Sequence, residues 1–166
     1  MNGTRVGASV ESAATAGLRD TYVITGPIDA TAFYPRFGPL PAVTSVNDQT
    51  GTWDTPGRSR RLGLSDGGSV VETITDAISP TYFAYELTEF QKLFGVLVHH
   101  ARAEWTFSSV SGGTRIRWSY TFFARPGWGW AVRLIVRAFW APYMAKVLPP
   151  IAREVERIAR ERSSAR

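Results

Sequence analysis

ARAEWTFSSVSGGTRIRWSYTFF, residues 101–123, decides the architecture. Its two halves alternate apolar and polar residues on either side of Gly112-Gly113, the pattern of an antiparallel hairpin with one buried face. A two-residue turn at Gly112-Gly113 sets Phe107 opposite Trp118, Trp105 opposite Tyr120 and Ala103 opposite Phe122, all on one face. The other face receives Arg102, Glu104, Thr106 and Ser108 against Thr121, Ser119 and Arg117. A one-residue slip would mix the two sets, so their segregation argues for this register.

Toward the N-terminus, Tyr82–Thr88 alternates in the same way, with Phe83, Tyr85 and Leu87 in phase. Arg58–Leu64 and Ser69–Thr75 flank the turn Ser65-Asp66-Gly67-Gly68, a second hairpin with Arg60, Leu62 and Leu64 on one side. Val43–Asn47 is a further strand, and a weak one covers Val6–Ser12 after a start expected to fray. Leu18–Ile24 reads as a short helix ended by Gly26-Pro27, and Asp29 caps another that runs to Tyr34.

After Pro126 the period becomes helical. Leu134, Ile135, Ala138, Ala141, Met144, Ala145 and Leu148 form a stripe at spacings of three and four. Trp128, Trp130, Phe139, Trp140 and Tyr143 widen it. Pro142 is expected to kink this helix or end a turn, and Pro149-Pro150 to bend it again. Ile151, Val155 and Ile158 continue as a narrow stripe on a charged tail.

The length of 166 residues and 44% apolar content lead us to expect a single ligand-binding domain over 1–166, with an ordered core of about 8–162. Absence of cysteine excludes disulfide frameworks and thiolate chemistry, and fits a reducing compartment. Met1–Ser12 holds no continuous apolar run, and Arg133, Arg137 and Lys146 interrupt Gly127–Ile151, so neither a leader nor a transmembrane segment is expected. The expected location is cytoplasmic. Much of the net charge of +5 sits in Arg153, Arg157, Arg160, Arg162 and Arg166, interleaved with Glu154, Glu156 and Glu161. Mixed signs on one helix mark a solvated face, so no nucleic-acid partner is expected, while weak contact with a membrane surface stays open. The chain is expected to be a monomer or a homodimer.

Consecutive antiparallel strands with one apolar face need a cover, and the last helix is the only long one available. The reading is therefore α+β: a curved antiparallel sheet wrapped around a long C-terminal helix, with two short helices near the N-terminus. Arg60-Arg61-Leu62-Gly63-Leu64-Ser65-Asp66-Gly67, Glu72, Pro80-Thr81-Tyr82-Phe83-Ala84-Tyr85, Gly113-Thr114-Arg115-Ile116-Arg117-Trp118-Ser119-Tyr120 and the final helix follow one another in a telling order. In that order and spacing the chain, from Val10 to Ile158, resembles the polyketide cyclase and lipid-transfer proteins of the START-like, Bet v 1-like (SRPBCC) superfamily. Ser12–Thr15 departs from that pattern. The resemblance implies a helix-grip fold with a deep apolar cavity.

Candidate cavity residues are Glu72, Phe83, Tyr85, Trp105, Phe107, Trp118, Tyr120, Ile135, Trp140 and Met144. Tyr85 and Tyr120 fall on apolar faces, where their hydroxyls need partners. Glu72 is in phase with Val70 and Ile74; it is either an inward carboxylate suited to general-base work or, with an Asp66-Gly67 turn, the salt-bridge partner of Arg61. His99 and His100 are adjacent, so on a strand they point to opposite faces and cannot easily chelate one ion together; either one enters the cavity while the other meets solvent or, the preferred reading, they are satisfied or surface histidines. Arg102, Arg115 and Arg117 form an outer basic patch or solvated partners of Glu104. No Gly-x-Ser-x-Gly elbow or phosphate loop is present, and no metal or cofactor is expected.

Three functions fit these residues. The first is non-covalent carriage of a lipid- or polyketide-like molecule, supported by many inward aromatics and few convergent catalytic groups. The second is a polyketide cyclase or dehydratase using the same cavity. The third is an interaction module whose aromatic helix binds a partner or membrane surface, which an exposed aromatic stripe would support.

Overall fold

The structure is a computed structural model and describes residues 3–166. Seven strands form one antiparallel sheet: β1 (Arg5–Ala14), β2 (Val43–Asn47), β3 (Ser59–Leu64), β4 (Ser69–Ile78), β5 (Tyr82–Thr88), β6 (Val98–Val110) and β7 (Gly113–Ala124). Their order is β1-β7-β6-β5-β4-β3-β2, so the first strand closes on the last and β1 and β2 are the edges. Helices α1 (Leu18–Thr25) and α2 (Ala30–Phe33) follow β1, and α3 (Lys92–Leu97), absent from the sequence reading, precedes β6. Helix α4 (Gly129–Ile135), a π-helical turn (Val136–Trp140) and α5 (Ala141–Ser164) complete the chain. The sheet curves around α5, which buries Met144, Val147, Leu148, Ile151 and Val155. This is the expected α+β helix-grip arrangement. Ordered elements extend past the expected limits, starting at Arg5 and ending at Ser164.

Two registers correct the sequence reading. In the β6–β7 hairpin Trp105 pairs with Trp118, Phe107 with Ile116, Ala103 with Tyr120 and Ala101 with Phe122. The turn is Ser111-Gly112, so the register differs by two residues and every side chain keeps its expected face. Gly112 takes the left-handed conformation (φ 81°), whereas Gly113 is a strand residue; a Cβ there would lie 2.0 Å from the Ala14 carbonyl oxygen. In the β3–β4 hairpin the loop has three residues, Ser65 to Gly67, closed by Leu64 N–H donating to Gly68 O and by Gly67 at φ 82°. That odd count places Arg60, not Arg61, opposite Glu72. Arg61 faces outward to Glu89 (2.8 Å).

The C-terminal helix also differs. Pro142 follows the π turn, in which Ala141 N–H donates to Val136 O. A proline ring clashes with the carbonyl four residues back, and the widened turn relieves that conflict. The turn moves the inward face by one residue: Val132 and Val136 are buried, whereas Leu134, Ala138 and Ala145 of the expected stripe are exposed and Ala141 is half-buried. Pro149 and Pro150 do not break α5. The carbonyls they leave without partners are those of Ala145 and Lys146, on the exposed side, where water can satisfy them.

Candidate ligand-binding site

Between the inner face of the sheet, the segment from α2 to β2, and the π turn lies a chamber of about 100 Å³. Its apolar wall includes Leu40, Leu62, Val70, Leu87, Phe122 and Trp140. Pro41, Leu64, Asp66, Phe90, Gln91 and Phe94 reach solvent and form its mouth. Polar groups enter at one end: Arg60, Glu72, Tyr34, Tyr85, Tyr120 and Tyr143.

Alternation along β3 and β4 brings Arg60 and Glu72 inward as a cross-strand pair. Arg60 Nε donates to Glu72 Oε2 at 2.7 Å, with side chains 10% and 5% exposed. The guanidinium also lies over the ring of Trp53, 4.1 Å from its centroid. Burial pulls the Arg60 pKa down, but the charge and hydrogen bond of Glu72 outweigh it, and the net shift is upward. Trp53, from the loop between β2 and β3, packs edge-on against Phe83 and Tyr85 at 6.4 and 6.0 Å.

The tyrosines share this low-dielectric end. Burial, then the proximity of Tyr85 and Glu72, pushes the hydroxyls of Tyr34 and Tyr120 well above the ordinary tyrosine value. Burial followed by the Glu72 charge raises Tyr85, and burial alone raises Tyr143. The folded protein therefore holds these protons more tightly than the unfolded chain does. Their contribution to stability is complete below the unfolded value of about 10 and is lost as pH rises through the folded values. We expect urea-unfolding free energy to fall steeply above about pH 10, with tyrosinate absorbance from the buried groups appearing together with unfolding. Non-cooperative ionisation of every tyrosine near pH 10 in the folded protein would contradict the burial.

Trp118 and Trp140 also line the chamber, and their buried indole N–H groups have no hydrogen-bond partner. Trp140 packs on Tyr120 at 4.6 Å and on Tyr143 at 5.2 Å between ring centroids. The wall of the chamber is largely apolar.

Residues 30–156 match the profile of the family described as polyketide cyclase / dehydrase and lipid transport. The chain belongs to that family. Three solved structures have a similar fold. Ara h 8.0201 is 16% identical with a TM-score of 0.57, covering 95% of this chain and 99% of that one. A point mutant of Thalictrum flavum norcoclaurine synthase, in complex with a transition-state analogue, is 12% identical with a TM-score of 0.69, covering 93% and 96%. The di-domain ARO/CYC BexL of the BE-7585A biosynthetic pathway is 16% identical with a TM-score of 0.63, covering 92% of this chain and 50% of that one. A sequence search of curated proteins finds no match.

In this member of the polyketide cyclase/dehydrase and lipid transport family, the expected cavity residues separate. Glu72, Tyr85, Trp118, Tyr120 and Trp140 line the chamber. Phe83 and Trp105 border a crevice of about 20 Å³ behind it, beside Trp53. Phe107 lines an outer depression with Tyr22, Ile135 borders the crevice between α3 and α4, and Met144 is solid core. Neither histidine enters: His99 is exposed, and His100 stacks on Phe123 at 4.0 Å. Arg102 pairs with Asp76 and Glu104, and Arg115 and Arg117 flank Glu11 on the outer face. The sequence reading missed Tyr34, Arg60 and Tyr143 as site residues. Arg60 was detectable from its phase with Leu62 and Leu64, and Tyr143 from its place beside Met144; Tyr34, at the C-cap of a helix too short to show a periodic face, had no such signal. Among the described residues no three or more His, Asp or Glu side chains gather as a metal site, and no helix is long and apolar enough to cross a membrane.

Proposed function

We propose that the chain binds a hydrophobic small molecule, lipid- or polyketide-like, in this chamber and carries it non-covalently. The observation that carries the reading is the chamber itself, a largely apolar wall with polar groups gathered at one end. A chamber of about 100 Å³ is smaller than ordinary ligand pockets and accepts a ring-sized group. The rest of a longer ligand leaves through the mouth beside Leu64, Phe90 and Phe94. The test is titration with an environment-sensitive hydrophobic dye, together with native mass spectrometry of protein taken from its own host. We expect one-to-one binding that Val70→Phe weakens by about tenfold or more, because overpacking fills the chamber without removing core contacts. Ala141→Trp serves as the control, since Ala141 does not line the chamber. Unchanged binding by folded Val70→Phe contradicts the reading.

The buried Glu72–Arg60 pair favours a second reading, a cyclase or dehydratase in which Glu72 moves a proton at the chamber wall. The double variant Arg60→Met with Glu72→Gln, which leaves no buried charge unpaired, would select it over carriage alone if it retains ligand binding but abolishes turnover of a polyketide-like substrate.

A further inference from the structure

The outward faces of α3 and α4 carry large apolar side chains that the rest of the described chain leaves uncovered. Trp130 is 63% exposed, Leu134 60%, Leu93 and Val96 52% each, and Trp128 38%. Together they are five of the seven exposed large hydrophobics among the described residues; Val23 and Ile78 are the others. The two helices are neighbours. Phe94 and Leu97 meet Val132 and Val136 in the crevice between them, and Arg125 Nε donates to Gly95 O at 2.8 Å. Trp128 and Trp130 stack with ring centroids 6.4 Å apart.

Cations dominate the charge on this face, with Asp66 at the chamber mouth beside Lys92. Lys92, Arg125, Arg133 and Arg137 are all exposed, and no Asp or Glu occurs from Trp105 through Arg153. Glu89, just before α3, is held by Arg61. A second copy of this chain is a poor occupant, because a two-fold contact sets the same cations against each other. Indoles beside arginines suit the boundary between lipid headgroups and acyl chains, and the cations suit lipid phosphates.

We propose that this face docks on the surface of an anionic phospholipid bilayer, with Trp130, Leu134 and Leu93 at the acyl boundary and Arg133 and Arg137 against phosphates. Phe90 and Phe94, at the chamber mouth, lie in and just before α3, so docking sets that mouth beside the bilayer. The docking itself does not depend on what the chamber holds.

The experiment is co-sedimentation and tryptophan fluorescence with vesicles of phosphatidylcholine alone and of phosphatidylcholine mixed with phosphatidylglycerol. We expect blue-shifted emission and binding to the mixed vesicles, weakened by salt and at least about tenfold weaker on phosphatidylcholine alone. Trp130→Ala with Leu134→Ala, and separately Arg133→Gln with Arg137→Gln, should each lower affinity by about tenfold or more. All four side chains are exposed, so the variants should keep their circular dichroism and their dye binding in the chamber, which separates this result from failure of the carrier reading. No binding to mixed vesicles, equal binding by both variants, or a solution dimer that shields Trp130 from a fluorescence quencher would overturn the proposal.

Discussion

Replacing Glu72 with leucine is expected to destabilise the fold by about 3–5 kcal/mol, because it leaves a buried guanidinium without its counter-charge. Arg60 has little room to escape, being held 2.7 Å from Glu72 and 4.1 Å over Trp53. Desolvating both ions is expensive, so the pair stabilises little in absolute terms while its disruption is severe. The double variant Arg60→Met with Glu72→Leu should therefore regain most of the loss and can exceed wild type by about 1–4 kcal/mol. Urea unfolding of the single and double variants reads this directly. A single variant costing less than about 1 kcal/mol would show that Arg60 swings out to water.

Trp118→Ala should cost about 3–5 kcal/mol, the range for emptying a large aromatic site in a core. Trp118 is 1% exposed, stacks on Trp105 at 5.1 Å and 14°, and meets Tyr34 and Tyr120 edge-on. Trp118→Phe should cost clearly less, since it keeps a ring in place and removes an N–H that has no partner. Calorimetric unfolding of both variants distinguishes volume from hydrogen bonding. Phenylalanine as damaging as alanine would mean that the indole N–H is bonded after all.

The sequence revealed the sheet well because period-two alternation survives a register error of two. Trp105, Trp118 and Tyr120 reach the inner face under either pairing. It was less informative where a single residue decides a face. The three-residue loop at Ser65 to Gly67 exchanged Arg61 for Arg60 as the partner of Glu72, and turn composition alone does not fix loop length. The helix stripe failed for a similar reason: Leu134, Ala138 and Ala141 are in α-helical phase with Met144, and only the backbone shows that the phase is broken between them. Trp53 and Tyr34 lay in irregular segments, where periodicity carries no information.

That broken phase has a consequence for descent. A π turn holds one residue more than the α turn it replaces, so it is equivalent to an insertion of one residue ahead of α5. Losing a single codon within 136–140 would close the π turn to an ordinary α turn and leave α4 facing as it does. Val132 and Val136 would stay against the sheet and Trp130 and Leu134 outward, while Pro142 would lose the widened turn that spares it a clash with the carbonyl four residues back. The extra residue and Pro142 are thus linked heritable traits, and a change in length at this turn leaves both the outward set and the core set of α4 where they are.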